Sequence, residues 1–160
     1  MSFQAIIEAE ANIQSLQQSL DAALENVGTA SVAGQGLDYG NSKTRVAVLL
    51  DTSQDDWIVQ AAVFSDSSFD DLDNQVSEWL GKTPCRVFGL TLSYGNSKWR
   101  ALITYTLQAV DNNIVKSEKE GGSEAEAQGI DSDLASAKSV SGFGFAYQGG
   151  DFAAMYIYVQ

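Results

Sequence analysis

The chain has 160 residues, 44% of them hydrophobic, enough to bury one ordinary core and too few for two comfortable ones. Its 21 acidic residues against 9 basic ones leave a formal net charge of -12, which repels phosphate backbones and anionic lipid, so neither nucleic acid nor a membrane is an expected partner. It contains no histidine and one cysteine, Cys85, which removes histidine-activated nucleophiles, a disulfide framework and any tetrahedral zinc site not built from carboxylates.

No apolar run reaches the roughly 20 residues that span a bilayer, and the N-terminus reads as an amphipathic helix rather than a charged and then apolar leader. A cytoplasmic location, or an assembled virion, is expected. Over residues 3 to 27, Ile6, Ala9, Ile13, Leu16, Leu20, Ala23 and Val27 recur by threes and fours, the spacing of a narrow heptad seam. Phe3, Ile7 and Leu24 widen it, and Gly28 is suited to close the helix. At about 1.5 Å per residue this helix would reach about 35 Å, more than a short-stranded sheet needs for cover. Ile6, Ile13, Leu16, Leu20 and Val27 are therefore assigned to a seam that docks on a partner; a core-facing helix of the same domain is the plainer alternative.

A hairpin follows over Thr29 to Asp51, turning at Tyr39-Gly40-Asn41-Ser42-Lys43. Its leading strand has Gly34 and Gly36 on one side and Leu37 and Tyr39 on the other, which fits a strand closely crossed by a helix or another backbone. Arg45 to Leu50 is apolar on both faces, as a central strand is. After a polar loop, Trp57 to Phe64 predicts a third strand. Ser68 and Asp71 then have capping-box spacing ahead of a helix whose face is Phe69, Leu72, Val76 and Leu80.

Past Pro84, Phe88, Leu90, Leu92 and Tyr94 alternate with Val87, Gly89, Thr91 and Ser93, a strand with one core face. The same five letters return at its turn, Tyr94-Gly95-Asn96-Ser97-Lys98, before the strand Trp99 to Leu107. Ile114-Val115 echoes Ile58-Val59 at a shift of 56, so the repeat extends into a third strand. Lys116 to Gly129 has no apolar period and predicts a mobile loop or a frayed helix start. Ile130, Leu134 and Ala137 give a short third helix, and Gly142 to Val159 a third hairpin with a looser turn, Tyr147-Gln148-Gly149-Gly150-Asp151.

These elements predict an α+β single domain over residues 1–160 with three internal repeats at about 3–64, 65–116 and 123–160. Their expected order is α-β-β-β, α-β-β-β, α-β-β, an antiparallel sheet covered by helices. The third unit would then lack its last strand, leaving a gap beside Tyr156 and Tyr158 that a neighbouring chain could fill. In element order, over about 50 residues, each unit resembles in outline the β-α-β-β modules of dodecins and of a short sporulation-associated family. Dodecins use a tryptophan and a glutamine in flavin binding, and that constellation has no match here, so the resemblance implies no cofactor.

Asn41, Lys43 and Arg45, with their copies Asn96, Lys98 and Arg100, could together hold an anion. A tight turn is the simpler reading, because Gly and Asn tolerate positive φ, Ser bonds locally and an exposed cation keeps the turn soluble. The third copy reverses the charge, which favours the turn. The acidic groups Asp55-Asp56 and Asp70-Asp71-Asp73 lack the alternating spacing of a calcium loop. Cys85 reads as a small buried apolar residue. Trp57, Trp79 and Trp99 could stack a planar ligand, although such residues more often fill core or interface. No catalytic group and no metal site is assigned. The expectation is a non-enzymatic structural or assembly protein, forming a homo-oligomer or docking on a protein partner, as a viral or phage particle component would. The alternative is a small-molecule binding module with an aromatic pocket between repeats.

Overall fold

The computed structural model describes residues 2–54, 56–120, 124–148 and 151–160. The chain runs three times through strand, helix, strand, strand. The first run is β1 (Phe3–Glu10), α1 (Ile13–Glu25), β2 (Thr29–Gly40) and β3 (Lys43–Asp51), followed by the short β4 (Trp57–Ile58). The second is β5 (Gln60–Asp66), α2 (Phe69–Lys82), β6 (Arg86–Gly95) and β7 (Lys98–Thr106), and the third is β8 (Asn113–Glu120), α3 (Glu124–Leu134), β9 (Ser139–Gln148) and β10 (Asp151–Val159). Each run makes its own antiparallel sheet, in the orders β1-β3-β2-β4, β5-β7-β6 and β8-β10-β9.

This corrects the expected α+β fold of helix-led repeats with helices covering the sheet. Among the described residues the chain is mostly strand, in three antiparallel sheets with only three helices, and the sheets largely cover one another. The error in phase starts at the N-terminus. Residues 3–10 also alternate with period two, and they pair with β3 from Phe3↔Asp51 to Glu10↔Thr44. The helix starts only where Asn12 caps it, the side chain accepting from the backbone N–H groups of Gln14 and Ser15 at 2.8 and 3.2 Å. Ile6 and Ala9 thus match the heptad spacing without belonging to the helix.

The strand read at Trp57 to Phe64 is shared between two sheets. Trp57 and Ile58 pair with β2, and Gln60 onward pairs with β7 and opens the second run. With the opening strand placed before each helix, the third run is complete, and the gap expected beside Tyr156 and Tyr158 is filled by β8. Of the stretch expected to be a mobile loop or a frayed helix start, residues 116–120 lie in β8 and 124–129 in α3; residues 121–123 fall outside the described residues.

The hairpins between β2 and β3 and between β6 and β7 close with two residues each, and all four have positive φ: Asn41 52° and Ser42 59°, Asn96 51° and Ser97 59°. That is the tight primed turn whose twist matches paired strands. Gly149 and Gly150, the corresponding third pair, lie outside the described residues.

Two sheet-on-sheet contacts organise the molecule. Gln35 on β2 reaches across to the second sheet, where its amide donates to Thr91 Oγ1 at 2.9 Å and to the Leu102 carbonyl at 3.1 Å, and accepts from Thr104 Oγ1 at 2.6 Å. Leu102 packs there with Val46, Val48, Leu50 and the α1 residues Leu16, Leu20 and Leu24. On its other face the second sheet packs Leu90, Leu92, Ala101 and Ile103 against Ala146, Ala153, Met155 and Ile157 of the third, with Phe69, Leu72, Val76 and Leu80 of α2 closing the core. The third sheet lies so close that a Cβ on Gly142 would stand 2.6 Å from Leu90 Cβ, and one on Gly144 2.9 Å from Leu92 Cβ.

The glycine at the corresponding place on the first sheet, Gly36, faces open space. Gly144→Ala should therefore cost about 1–3 kcal/mol through overpacking, whereas Gly36→Ala should be neutral or stabilise by up to about 1 kcal/mol, since alanine restricts the unfolded chain. Chemical denaturation of the two variants checks this; equal effects would remove the claim that the two faces differ.

Candidate functional site: two uncovered sheet faces

Aligning the runs on Tyr39, Tyr94 and Tyr147 gives each hairpin a receiving face and an inserting face. The receiving positions are Gln35, Leu37 and Tyr39, then Leu90, Leu92 and Tyr94, then Phe143, Phe145 and Tyr147. The inserting positions are Gly34, Gly36 and Asp38, then Gly89, Thr91 and Ser93, then Gly142, Gly144 and Ala146. The second run's inserting face lies on the first run's receiving face, and the third run's lies on the second's.

One face of each kind is left over, at opposite ends of the stack. At one end Phe143, Phe145 and Tyr147 are 49%, 55% and 65% exposed. They share their side of the sheet with Phe152 and Tyr156, forming stacked ring pairs Phe143–Tyr156 and Phe145–Phe152 with centroids 6.2 and 5.3 Å apart. At the other end Phe3 and Ile7 are 53% and 68% exposed and stand on the same side as Leu49, Ala47, Gly34 and Gly36. An ion pair between Arg45 and Asp38, 2.9 Å, lies at the margin of a shallow depression that Ile7, Gly36 and Ala47 also line.

Of the residues assigned to docking from sequence, those of the N-terminal seam lie elsewhere. Ile6, Leu16 and Leu20 are buried in the core between the first and second sheets, with Ile13 and Val27 packed at its margin. The seam is thus spent inside the chain, because β5 of the second run takes the place given to a partner helix. Tyr156 and Tyr158 are buried, and Tyr156 donates to Asp133 of α3 at 2.6 Å. Burial first, then that acidic acceptor, pushes the Tyr156 phenol well above the ordinary tyrosine range.

The two turn motifs also separate. Arg45 is exposed and paired with Asp38, while Arg100 is buried, donating to Thr44 Oγ1 at 2.9 Å and the Gly95 carbonyl at 2.7 Å, its guanidinium 4.4 Å from the Tyr39 ring centre. Asn96 donates to Tyr39 Oη at 3.1 Å. Arg100 and Asn96 therefore tie the second sheet to the first, and Asn41, Lys43 and Lys98 remain exposed. Burial holds the Arg100 pKa below the arginine range despite the nearby Tyr39.

The tryptophans are engaged by other rings: Trp57 by Phe88, Trp79 by Phe64 and Tyr105, Trp99 by Phe69 and Tyr94. Cys85 is buried, and burial followed by the Asp111 charge pushes its thiol up to about 11. Asp70 and Asp71 occupy the first turn of α2, Asp56 is exposed, and Asp55 lies outside the described residues. Among the described residues no helix is long and apolar enough to cross a membrane.

Two further groups show how each helix meets the next run. Gln17 of α1 lies along β5, donating to the Ala61 carbonyl at 2.7 Å and accepting from the Val63 N–H at 2.9 Å, as a neighbouring strand would. Asp73, the fifth residue of α2 as Gln17 is of α1, accepts from Ser117 of β8. Sequence reasoning missed Gln17 and Gln35 because each acts across runs, and it gave Arg100 to a possible anion site where the structure uses it to tie two sheets; for Gln35, a glutamine at an otherwise apolar position was the signal.

Comparison of the chain with protein-family models, with curated proteins and with solved structures finds no match.

Burial raises the Asp73 pKa, opposed by the Ser117 bond and aided by the Asp70 charge, and its Oδ1 is buried without a partner. A raised folded-state pKa penalises folding above that pKa, and the penalty vanishes once the pH falls below the unfolded value near 3.8. Asp73→Asn should raise Tm at pH 7 by roughly 1–3 °C, under about 1 kcal/mol after solvent screening. Calorimetry should find this gain closing as pH falls toward 3.8; a gain that grows with acid would contradict the assignment.

Proposed function

We propose that this protein is a non-enzymatic building block that self-associates through its two uncovered sheet faces. The observation that carries this is the pair of large apolar patches at opposite ends of a stack whose inner faces are all occupied. Exposed aromatic clusters of this kind are costly for a chain that stays alone, and they mark interaction surfaces. The absence of histidine and the use of Arg100, Tyr156 and the tryptophans as internal struts leave little for chemistry. The net charge of -12 favours association with protein over nucleic acid. An assembled structure such as a viral particle is a setting that suits these properties.

A second reading is small-molecule binding between the first two runs. It rests on a groove of about 500 Å³ lined by Asp21, Leu24, Glu25, Val59, Gln60 and Tyr105, a size that suits a small ligand. An adduct in native mass spectrometry would support it.

Sedimentation equilibrium from about 1 to 500 µM tests the assembly reading. The mass should rise above the 17.1 kDa of one chain, and rise further at 0.5 M than at 0.02 M salt, because salt screens repulsion between copies of charge -12 without weakening apolar burial. A single 17.1 kDa species throughout would overturn the proposal.

A further inference from the structure

We infer that the copies join head to tail: the Phe143, Phe145 and Tyr147 face of one chain receives the Gly34, Gly36 and Ala47 face of the next, continuing the sheet stack from chain to chain. This rests on the self-association proposed above and names its partner as a second copy and its geometry as heterologous.

The argument is continuity with the two interfaces already inside the chain. In both, three large side chains on the second strand of a run accept the small-residue side of the next run's second strand. Gln35 meets Gly89 and Thr91, and a Cβ built on Gly95 would stand 3.2 Å from Tyr39 Cβ; Leu90 and Leu92 meet Gly142 and Gly144. The unused receiver is the most apolar of the three, two phenylalanines and a tyrosine. The unused inserter has the same glycines at the same places, and nothing lies within 4 Å of a Cβ built on either. Glycine in a strand interior weakens it unless another backbone approaches closely. Gly142 and Gly144 have such a neighbour, and Gly34 and Gly36 do not.

The helices repeat the same relation. Gln17 of α1 lies on the edge of β5, and Asp73 of α2 meets β8, so each helix serves the opening strand of the run that follows. Among the described residues α3 has no following run, and β1, an edge strand carrying the exposed Phe3 and Ile7, has no preceding helix. Docking the first run of one copy on the third run of another supplies both. Such a contact uses two different patches, so it leaves one of each exposed after every addition and builds rings or open filaments rather than a closed symmetric pair.

Two variants separate the geometries. The double variant Phe143→Gln, Phe145→Gln removes the receiver, and Gly36→Gln blocks the inserter; each is first shown to melt as the parent does. Should Gly36→Gln fail to fold, Ala47→Gln, its cross-strand neighbour on the same face, takes its place. In sedimentation velocity each variant alone should be a 17.1 kDa monomer, and an equimolar mixture should give a species of twice that mass and no larger. If the inserter-blocked variant still dimerises alone, receivers pair with each other and the head-to-tail inference is overturned. If the parent associates but the mixture stays monomeric, the inference is overturned while self-association stands. A parent that is monomeric throughout overturns both.

Discussion

Everything in this molecule depends on how closely one sheet can approach the next. The third sheet lies against the second with its glycines at the side chains of Leu90 and Leu92, where a Cβ would stand 2.6 to 2.9 Å away. Packed sheets ordinarily sit about 10 Å apart with side chains from both interdigitating. Here the small-residue strand β9 contributes almost only backbone at Gly142 and Gly144, so along that strand the large side chains of the second sheet fill the gap, while Met155 and Ile157 of β10 interdigitate beside it. The arrangement is directional, since a receiving face cannot be exchanged for an inserting one, and it fixes the order of the runs along the stack.

The two internal interfaces use this constraint with different chemistry. Between the second and third sheets the contact is apolar, from Leu90 and Leu92 to Met155 and Ile157. Between the first and second it carries a polar lattice: Gln35 bonded to Thr91, Thr104 and the Leu102 carbonyl, and Arg100 bonded to Thr44 and lying over Tyr39. Satisfied buried polar groups contribute modestly to stability, but they admit few alternative registers, since each slip leaves a donor or acceptor unpaired. Hydrophobic burial thus holds the stack together, while the Gln35 and Arg100 bonds restrict how its first two members can slide.

The helices are secondary to the sheets. α1 and α2 each shield part of one face of their own sheet and reach the opening strand of the next run, as the Gln17 amide does at Ala61 and Val63. Among the described residues the stack leaves one unoccupied face at each side. The aromatic receiver at Phe143 to Tyr147 and the bare glycines at Gly34 and Gly36 are those faces. This is the physical basis on which assembly is proposed.

The hairpins were legible in the sequence because their determinants are local. Period-two alternation over Phe88 to Tyr94 defines the strand, and Asn-Ser at positive φ in two turns requires residues that tolerate it. The helix face of Phe69, Leu72, Val76 and Leu80 was equally plain, since all four are buried as spaced. Residues 3–10 were not, because eight residues with mixed apolar spacing fit a helical seam and a strand alike, and only pairing with β3 decides between them. Nor could composition show that Leu16 and Leu20 face a strand from another run, or that Gly142 is pressed against Leu90 while Gly36 stands open. The sequence by itself determined which segments turn, alternate and repeat, since those depend on neighbours within a few positions. The tertiary structure alone decided which of the equivalent faces are covered and which are left, because that depends on where in the stack each run falls.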